Sequence, residues 1–195
     1  MLTSSRAATR DTTAPTSTTP SGVSSSRQRS ACALVCNVDD FALTPAERRL
    51  FGSLAARGVR FLLVGLGAAV LEGAPVSTQD LDIWPERIDD PRLAQAAHDA
   101  GGFWIAGFGV QPPAFGGAGL ERLDVVLTAH GLDSFDAEYA AAIEREIEGV
   151  HLRVLPLARV LASKRATNRP KDLAALPALE ATLLARSLVK DDTAE

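Results

Sequence analysis

Asp80 and Asp82 stand two residues apart in the run Thr78-Gln79-Asp80-Leu81-Asp82-Ile83-Trp84, and this is the spacing in the chain best suited to chemistry. Side chains alternate faces along an extended strand, so the two carboxylates point the same way with their backbones roughly 6 to 7 Å apart. Like charges held that close repel, and a cation between them relieves the cost. A hard divalent ion, Mg²⁺ or Mn²⁺, takes oxygen ligands of this kind and commonly binds substrate phosphates as well. Asp124 adds a third carboxylate inside the apolar run Leu123-Asp124-Val125-Val126-Leu127. A charge buried in a core strand needs a cation or hydrogen-bond donors.

The elements that would position these carboxylates can be read from pattern. Thr44-Pro45-Ala46-Glu47 is a capping box with proline at the first helical position, and Leu50, Phe51 and Leu54 give that helix one apolar face. Arg60 to Val64 has the composition of a strand buried on both faces. A Val64-Gly65-Leu66-Gly67 turn then opens a short helix over Ala68 to Leu71, whose first amides are suited to phosphate oxygens. Asp80 to Trp84 forms the next strand, and Asp89-Asp90-Pro91 starts a helix that ends at Gly101-Gly102. Residues 107 to 119 read as a glycine- and proline-rich loop ahead of the Asp124 strand. Ser134 to Ala142 reads as a helix, and Ile143 to Ile147 and Val150 to Val154 form a hairpin about Glu148-Gly149. Two helices follow, about 157 to 166 and 170 to 187.

The order strand, glycine turn, short helix and Thr78-x-Asp80-x-Asp82 resembles the signature of minimal nucleotidyltransferases, especially the branch that includes abortive-infection-type toxins. Asp124 matches that family's third acidic residue. Val154-Leu155-Pro156-Leu157-Ala158, Lys164 and Arg169-Pro170-Lys171-Asp172-Leu173 resemble its C-terminal helix pair. The resemblance spans residues 40 to 188 and implies an α/β fold, a nucleotidyltransferase-like mixed sheet flanked by helices with a C-terminal helix pair, over residues 39 to 190. It implies that Asp80, Asp82 and Asp124 are catalytic and hold Mg²⁺. Gly65, Leu66, Thr78, Lys164, Arg169 and Lys171 would then contact the nucleotide. An NTP would donate its NMP to an acceptor, whether a protein side chain, a tRNA end or a small molecule such as an aminoglycoside. A toxin of this kind would have a cognate antitoxin or other partner protein.

The chain departs from the pattern at three positions. Leu66 replaces the second small residue of the glycine pair, Val76 replaces a basic residue, and Glu72 replaces a histidine. Each change removes a feature favourable to phosphate, so weak NTP binding is expected, and a non-catalytic relative that binds a partner is the competing reading. A haloacid-dehalogenase-type phosphatase also carries Asp-x-Asp, but Trp84 stands where that class wants Thr or Val.

Plainer roles exist for each residue. Lys164 and Lys171, near Arg165 and Arg169, fit a solvated helix face as well as a phosphate contact. Asp172 fits a first-turn carboxylate serving the helix dipole. His98, His130 and His151 are scattered, and Trp84 and Trp104 read as core aromatics, although a tryptophan beside the site could stack on a base.

The 195 residues with 46% hydrophobic content are enough for one domain with a real core. A net charge of -4 argues against a generic polyanion-binding surface and leaves room for a small basic cluster. Residues 1 to 38 begin with a Ser-, Thr- and Arg-rich stretch too poor in large apolar side chains to fold, and are expected to be a disordered tail. Cys32 and Cys36 lack companions for a metal site, which leaves a reducing, cytoplasmic compartment as the simplest expectation. No segment approaches the ~20 apolar residues of a membrane span.

Overall fold

Thr44 begins the first helix by a reciprocal pair of hydrogen bonds. Its hydroxyl accepts from the Glu47 amide at 3.1 Å, and the Glu47 carboxylate accepts from the Thr44 amide at 2.8 Å. This is the capping box expected from the sequence, in a computed structural model that describes residues 41–192, with the side chains of 190–192 excluded. The expectations for residues 1–38, Cys32 and Cys36 among them, lie outside the described residues.

In chain order the elements are α1 (Pro45–Ala56), β1 (Phe61–Val64), α2 (Gly65–Leu71), β2 (Leu81–Pro85), α3 (Pro91–Asp99), β3 (Phe103–Ile105), β4 (Ala114–Gly116), β5 (Leu123–Val125), α4 (Phe135–Ala141), β6 (Ile143–Ile147), β7 (Val150–Val154), α5 (Leu157–Thr167) and α6 (Pro170–Asp192). The strands form one sheet in the order β3-β4-β5-β2-β1-β7-β6. It is mixed: β1 runs antiparallel to β2 and parallel to β7, while β2 runs parallel to β5. The expected α/β architecture, a mixed sheet flanked by helices with a C-terminal helix pair, is what the chain adopts. No described helix is long and apolar enough to cross a membrane.

Helices cover both faces of this sheet. Phe51 of α1 stacks on Phe61 with ring centroids 5.6 Å apart, so α1, packed against α3, covers the face shared by Phe61 and Leu63. The alternate residues Leu62 and Val64 face the other way, as do their register partners Trp84 and Asp82. There Trp84 meets Phe135 of α4 edge-on at 5.3 Å. Trp84 is therefore a packing aromatic.

Two differences from the sequence expectation have a common cause. The stretch expected to be a loop from 107 to 119 contains β4, and β3 precedes it unforeseen. Each is only three residues long, too short for alternation to show, and β4 exists because it pairs with β3 on one side and with β5 on the other. The helix after β1 also begins earlier than expected, at Gly65 itself.

Buried carboxylates, each clamped by arginine, fasten the layers together. Glu47 is fully buried and accepts from Arg122 Nε and Nη2, both at 2.6 Å, which ties α1 to the residue just before β5. Glu72 is likewise buried. It pairs with Arg145 of β6 and, at 2.7 Å, with Arg186 of α6, and so anchors the end of α2. Glu138 of α4 is held by Arg159 of α5 at 2.9 Å.

Removing one partner of such a pair strands the other. Arg122→Met should leave the Glu47 carboxylate with the Thr44 amide alone. Urea unfolding should register a loss of about 2 to 3 kcal/mol, below the full cost for a buried pair because Arg122 is partly exposed. A loss under about 0.5 kcal/mol would mean that the cap alone satisfies Glu47.

Candidate functional site

The register of the central strands decides where the carboxylates go. Val64 of β1 is paired with Asp82 of β2, Asp82 with Asp124 of β5, and Asp124 with Ala114 of β4. These four residues form one row across the sheet and share a face, with neighbouring backbones about 4.8 Å apart. Asp82 and Asp124 therefore stand abreast, and the small Ala114 side chain leaves the flank of Asp124 open.

Immediately after Val64 the chain turns at Gly65, whose φ is +66°. A Cβ there would overlap the Asp82 carboxylate, lying 2.7 Å from its Cγ. Both facts require glycine: the left-handed backbone disfavours a side chain, and Asp82 occupies the space one would need. The Asp82 carboxylate thus lies directly over bare backbone at the start of α2.

A cleft of about 420 Å³ opens beside this contact. It is lined by Gly65 and Asp82 on the sheet side, by residues 126–130 beyond β5, and by Val160, Ser163, Lys164 and Thr167 of α5, with Arg169 at the helix junction. The four α5 residues are spaced i, i+3, i+4 and i+7, which is one face of a helix. That spacing from Lys164 is the signal by which Ser163 and Thr167 could have been found. Neither was expected from the sequence, and nor was His130, one of three histidines scattered along the chain.

Lys164 and Arg169 converge on Asp172, which is 1% exposed. Lys164 Nζ lies 2.9 Å from one carboxylate oxygen and Arg169 Nε 2.6 Å from the other. Burial works to raise the Asp172 pKa, but hydrogen bonds from Arg169 and Lys164 outweigh it and hold the carboxyl below its ordinary value. Asp172 is thus the buried hub of an ion-pair cluster and does more than serve the dipole of α6. Lys164 is no solvated-face residue either, with its side chain only 12% exposed.

Asp82 has the opposite balance. Burial raises its pKa first of all; Lys164 opposes, Asp124 and Asp80 add to the rise, and Lys171 opposes in turn. The carboxylate is therefore a site of excess negative charge despite two nearby lysines. Among the described residues Asp80, Asp82 and Asp124 are in no ion pair, whereas Glu47, Glu72, Glu138 and Asp172, the four fully buried acids, are all paired.

Several expectations need correction. Asp124 is not a buried charge but is exposed beside the small Ala114 of β4, and neither it nor Asp80 is among the residues lining the cleft. Asp80 lies before β2, in an exposed bend where its amide donates to Thr78 Oγ1 at 3.3 Å. Thr78 shapes that bend and does not line the cleft, and neither Leu66 nor Lys171 lines it. The three aspartates do not gather into one coordination sphere: among the described residues no group of three or more His, Cys, Asp or Glu side chains is placed to hold a metal ion. Asp80 lies before the first residue of β2 and so stands outside the pair that the β2–β5 register sets abreast.

The donor set nevertheless suits magnesium. That ion keeps several waters and binds through one or two carboxylates plus substrate phosphates, so it does not need an all-protein cage. Asp82 and Asp124 abreast, both hard oxygen donors with unpaired charge, supply that number.

No family model matches the chain, and no curated protein matches it. Among solved structures it is similar to the solution structure of the antibiotic-resistance factor ANT(2'')-Ia, over 76% of this chain and 91% of that one, with 14% identity and a TM-score of 0.46.

Two measurements probe the site as described. Gly65→Ala should destabilise the protein by about 2 kcal/mol or more, from left-handed strain plus overlap with Asp82. Part of that loss should return in the Gly65→Ala/Asp82→Ala double variant. If the second change gives no recovery, the overlap is not the cause.

The second probe is pH. A carboxyl whose folded pKa lies above its unfolded value holds its proton more tightly in the fold, so stability falls as pH rises from the unfolded pKa, about 3.9, through the folded one. Asp82→Asn removes that loss. Its Tm without added divalent ion should exceed wild type at neutral pH, and the gain should disappear below about pH 3.9.

Proposed function

We infer that this chain is a metal-dependent nucleotidyltransferase that moves an NMP from an NTP to an acceptor hydroxyl. The observation that carries the reading is the row Val64, Asp82, Asp124, with the bare Gly65 backbone under the Asp82 carboxylate and a cleft beside it walled by Lys164. A strand, a glycine turn and two unpaired carboxylates side by side make a place where a polyphosphate can approach the backbone closely.

Asp82 and Asp124 would hold Mg²⁺ or Mn²⁺, with Asp80 at the mouth adding negative charge. When bound, such a cation neutralises charge developing on the phosphates. Lys164 faces Asp82 from α5 and would exchange part of its bond to Asp172 for a phosphate oxygen. Arg169, on the same carboxylate and at the cleft edge, is placed to do likewise, and the exposed Lys171 adds to the positive field. In the reaction the acceptor oxygen bonds to the α-phosphorus, the bond from that phosphorus to the bridging oxygen breaks, and pyrophosphate leaves. The acceptor proton passes to Asp124, which is exposed on the cleft side of the row, or through it to solvent. An enzyme of this kind acting as a toxin would be held in check by an antitoxin partner.

A second reading has specific support. Lys164 and Arg169 are already satisfied by Asp172, and Leu66 and Val76 remove a close backbone approach and a cation, which together fit a relative that keeps the fold to bind a partner.

A transfer assay and a binding measurement together separate the two. Purified protein with Mg²⁺ and labelled NTPs, incubated with cell extract, should transfer label to an acceptor, and Asp82→Asn should abolish transfer while remaining folded. Calorimetry on Leu66→Gly/Val76→Arg should show Mg²⁺-NTP binding tightened by about ten- to hundredfold, the worth of one charge-assisted hydrogen bond. Transfer by Asp82→Asn at the wild-type rate removes Asp82 from the mechanism. Absence of NTP binding in both wild type and double variant favours the partner-binding relative.

A further inference from the structure

The cleft is chemically asymmetric. Its charged residues, Asp82, Lys164 and Arg169, belong with the Gly65 turn, whereas the segment that follows β5 contributes Val126, Leu127 and Thr128 together with the His130 imidazole. The segment leaves the sheet next to β2, the Val126 amide donating to the Ile83 carbonyl at 2.8 Å, one residue beyond Asp82.

Segment 126–132 is also fixed, although it has no regular secondary structure. Gly131, with φ +71°, lies so close to α5 that a Cβ would fall 2.5 Å from Ala166 Cβ and 3.1 Å from the Ala162 carbonyl oxygen. Just after it Arg159 of α5 grips Asp133 at 2.9 Å and Glu138 of α4. A turn closes with the Leu132 amide donating to the Ala129 carbonyl at 3.3 Å. His130 is thus an exposed residue on a backbone pinned from its C-terminal side, and it is among the residues that line the cleft. Leu127, 50% exposed, forms the lip.

A nucleotide has a matching asymmetry: a polyanion at one end, and at the other a flat ring with apolar faces and a hydrogen-bonding edge. We propose that segment 126–132 is the nucleobase wall of this cleft and that His130 is its specificity-determining residue. The polyphosphate lies toward Gly65 and Lys164, Val126 and Leu127 cover the ring face, and the imidazole, which both donates and accepts, reads the ring edge. The inference rests on the nucleotidyltransferase reading above and adds to it which residues choose the base.

The test uses the full chain with Mg²⁺, the four common NTPs, and inorganic tripolyphosphate as a probe that has phosphates and no base. Isothermal titration should find that wild type discriminates among the NTPs. In His130→Ala the preferred NTP should bind about tenfold more weakly, the value of one hydrogen bond at the upper end of its range, and the four affinities should converge. Tripolyphosphate should bind as it does to wild type. Gly131→Val, which pushes the segment off α5, should produce the same convergence, with a thermal melt to verify that the fold is kept. The proposal is overturned if His130→Ala retains the wild-type order and spread, or weakens tripolyphosphate as much as NTP. If wild type binds tripolyphosphate and all four NTPs equally, the base wall alone is wrong. If it binds neither, the nucleotide reading fails and the base wall fails with it.

Discussion

Asp82 lies over the backbone of Gly65, and much else follows from that contact. It requires a residue without a side chain at the end of β1, and it fixes where α2 starts. It also faces the carboxylate toward α5, the side on which the cleft lies. The β1–β2 register that pairs Val64 with Asp82 and the β2–β5 register that pairs Asp82 with Asp124 then bring a second carboxylate alongside. A slip of one residue in either pairing would turn one member of the pair to the opposite face of the sheet.

Charge is distributed unequally between scaffold and site. The scaffold buries acids only with basic partners: Glu47 with Arg122, Glu72 with Arg145 and Arg186, Glu138 with Arg159. These pairs join elements far apart in the chain, and breaking any one would leave a desolvated charge. At the site the pattern reverses. Asp82 is half-buried, has no ion-pair partner among the described residues, and shares its neighbourhood with Asp80 and Asp124. Groups perturbed in this way, by burial and by like charge, cluster where ligands or chemistry supply the missing partner. Asp172 connects the two regimes: it is buried like the scaffold acids, and it holds two cations that line the cleft.

That presentation has a mechanical side. Lys164 and Arg169 lie on either side of the break between α5 and α6, where Asn168 takes a left-handed conformation, φ 53°, and ends the first helix. Held to one buried carboxylate, both side chains lose rotamer freedom before any ligand arrives, which lowers the entropy cost of recruiting them. Under the proposed function the same bonds would loosen when a phosphate competes for the cations, and affinity would be set by an exchange of partners as well as by attraction.

The sequence by itself determined the elements whose cause is local. The Thr44 capping box, the doubly buried Phe61–Val64 strand, the Asp90-Pro91 helix start, the β6–β7 hairpin and the C-terminal helix pair all follow from residues within a turn or two of each other. It also singled out Asp80, Asp82 and Asp124, because carboxylates at strand spacing or in an apolar run would be costly if buried. Tertiary structure alone decided what those residues face. β3 and β4 form because non-local partners complete their hydrogen bonds. Asp124 is exposed because its neighbour across the sheet is the small Ala114. Lys164 is tied to Asp172 because α5 packs against α6, and Glu72 to Arg186 because the end of α2 meets a helix far along the chain. His130, Ser163 and Thr167 join the cleft because Gly131 lets one backbone lie against another. Spacing along a chain fixes which side chains share a face, but burial and ion pairing depend on what the fold brings to that face from elsewhere.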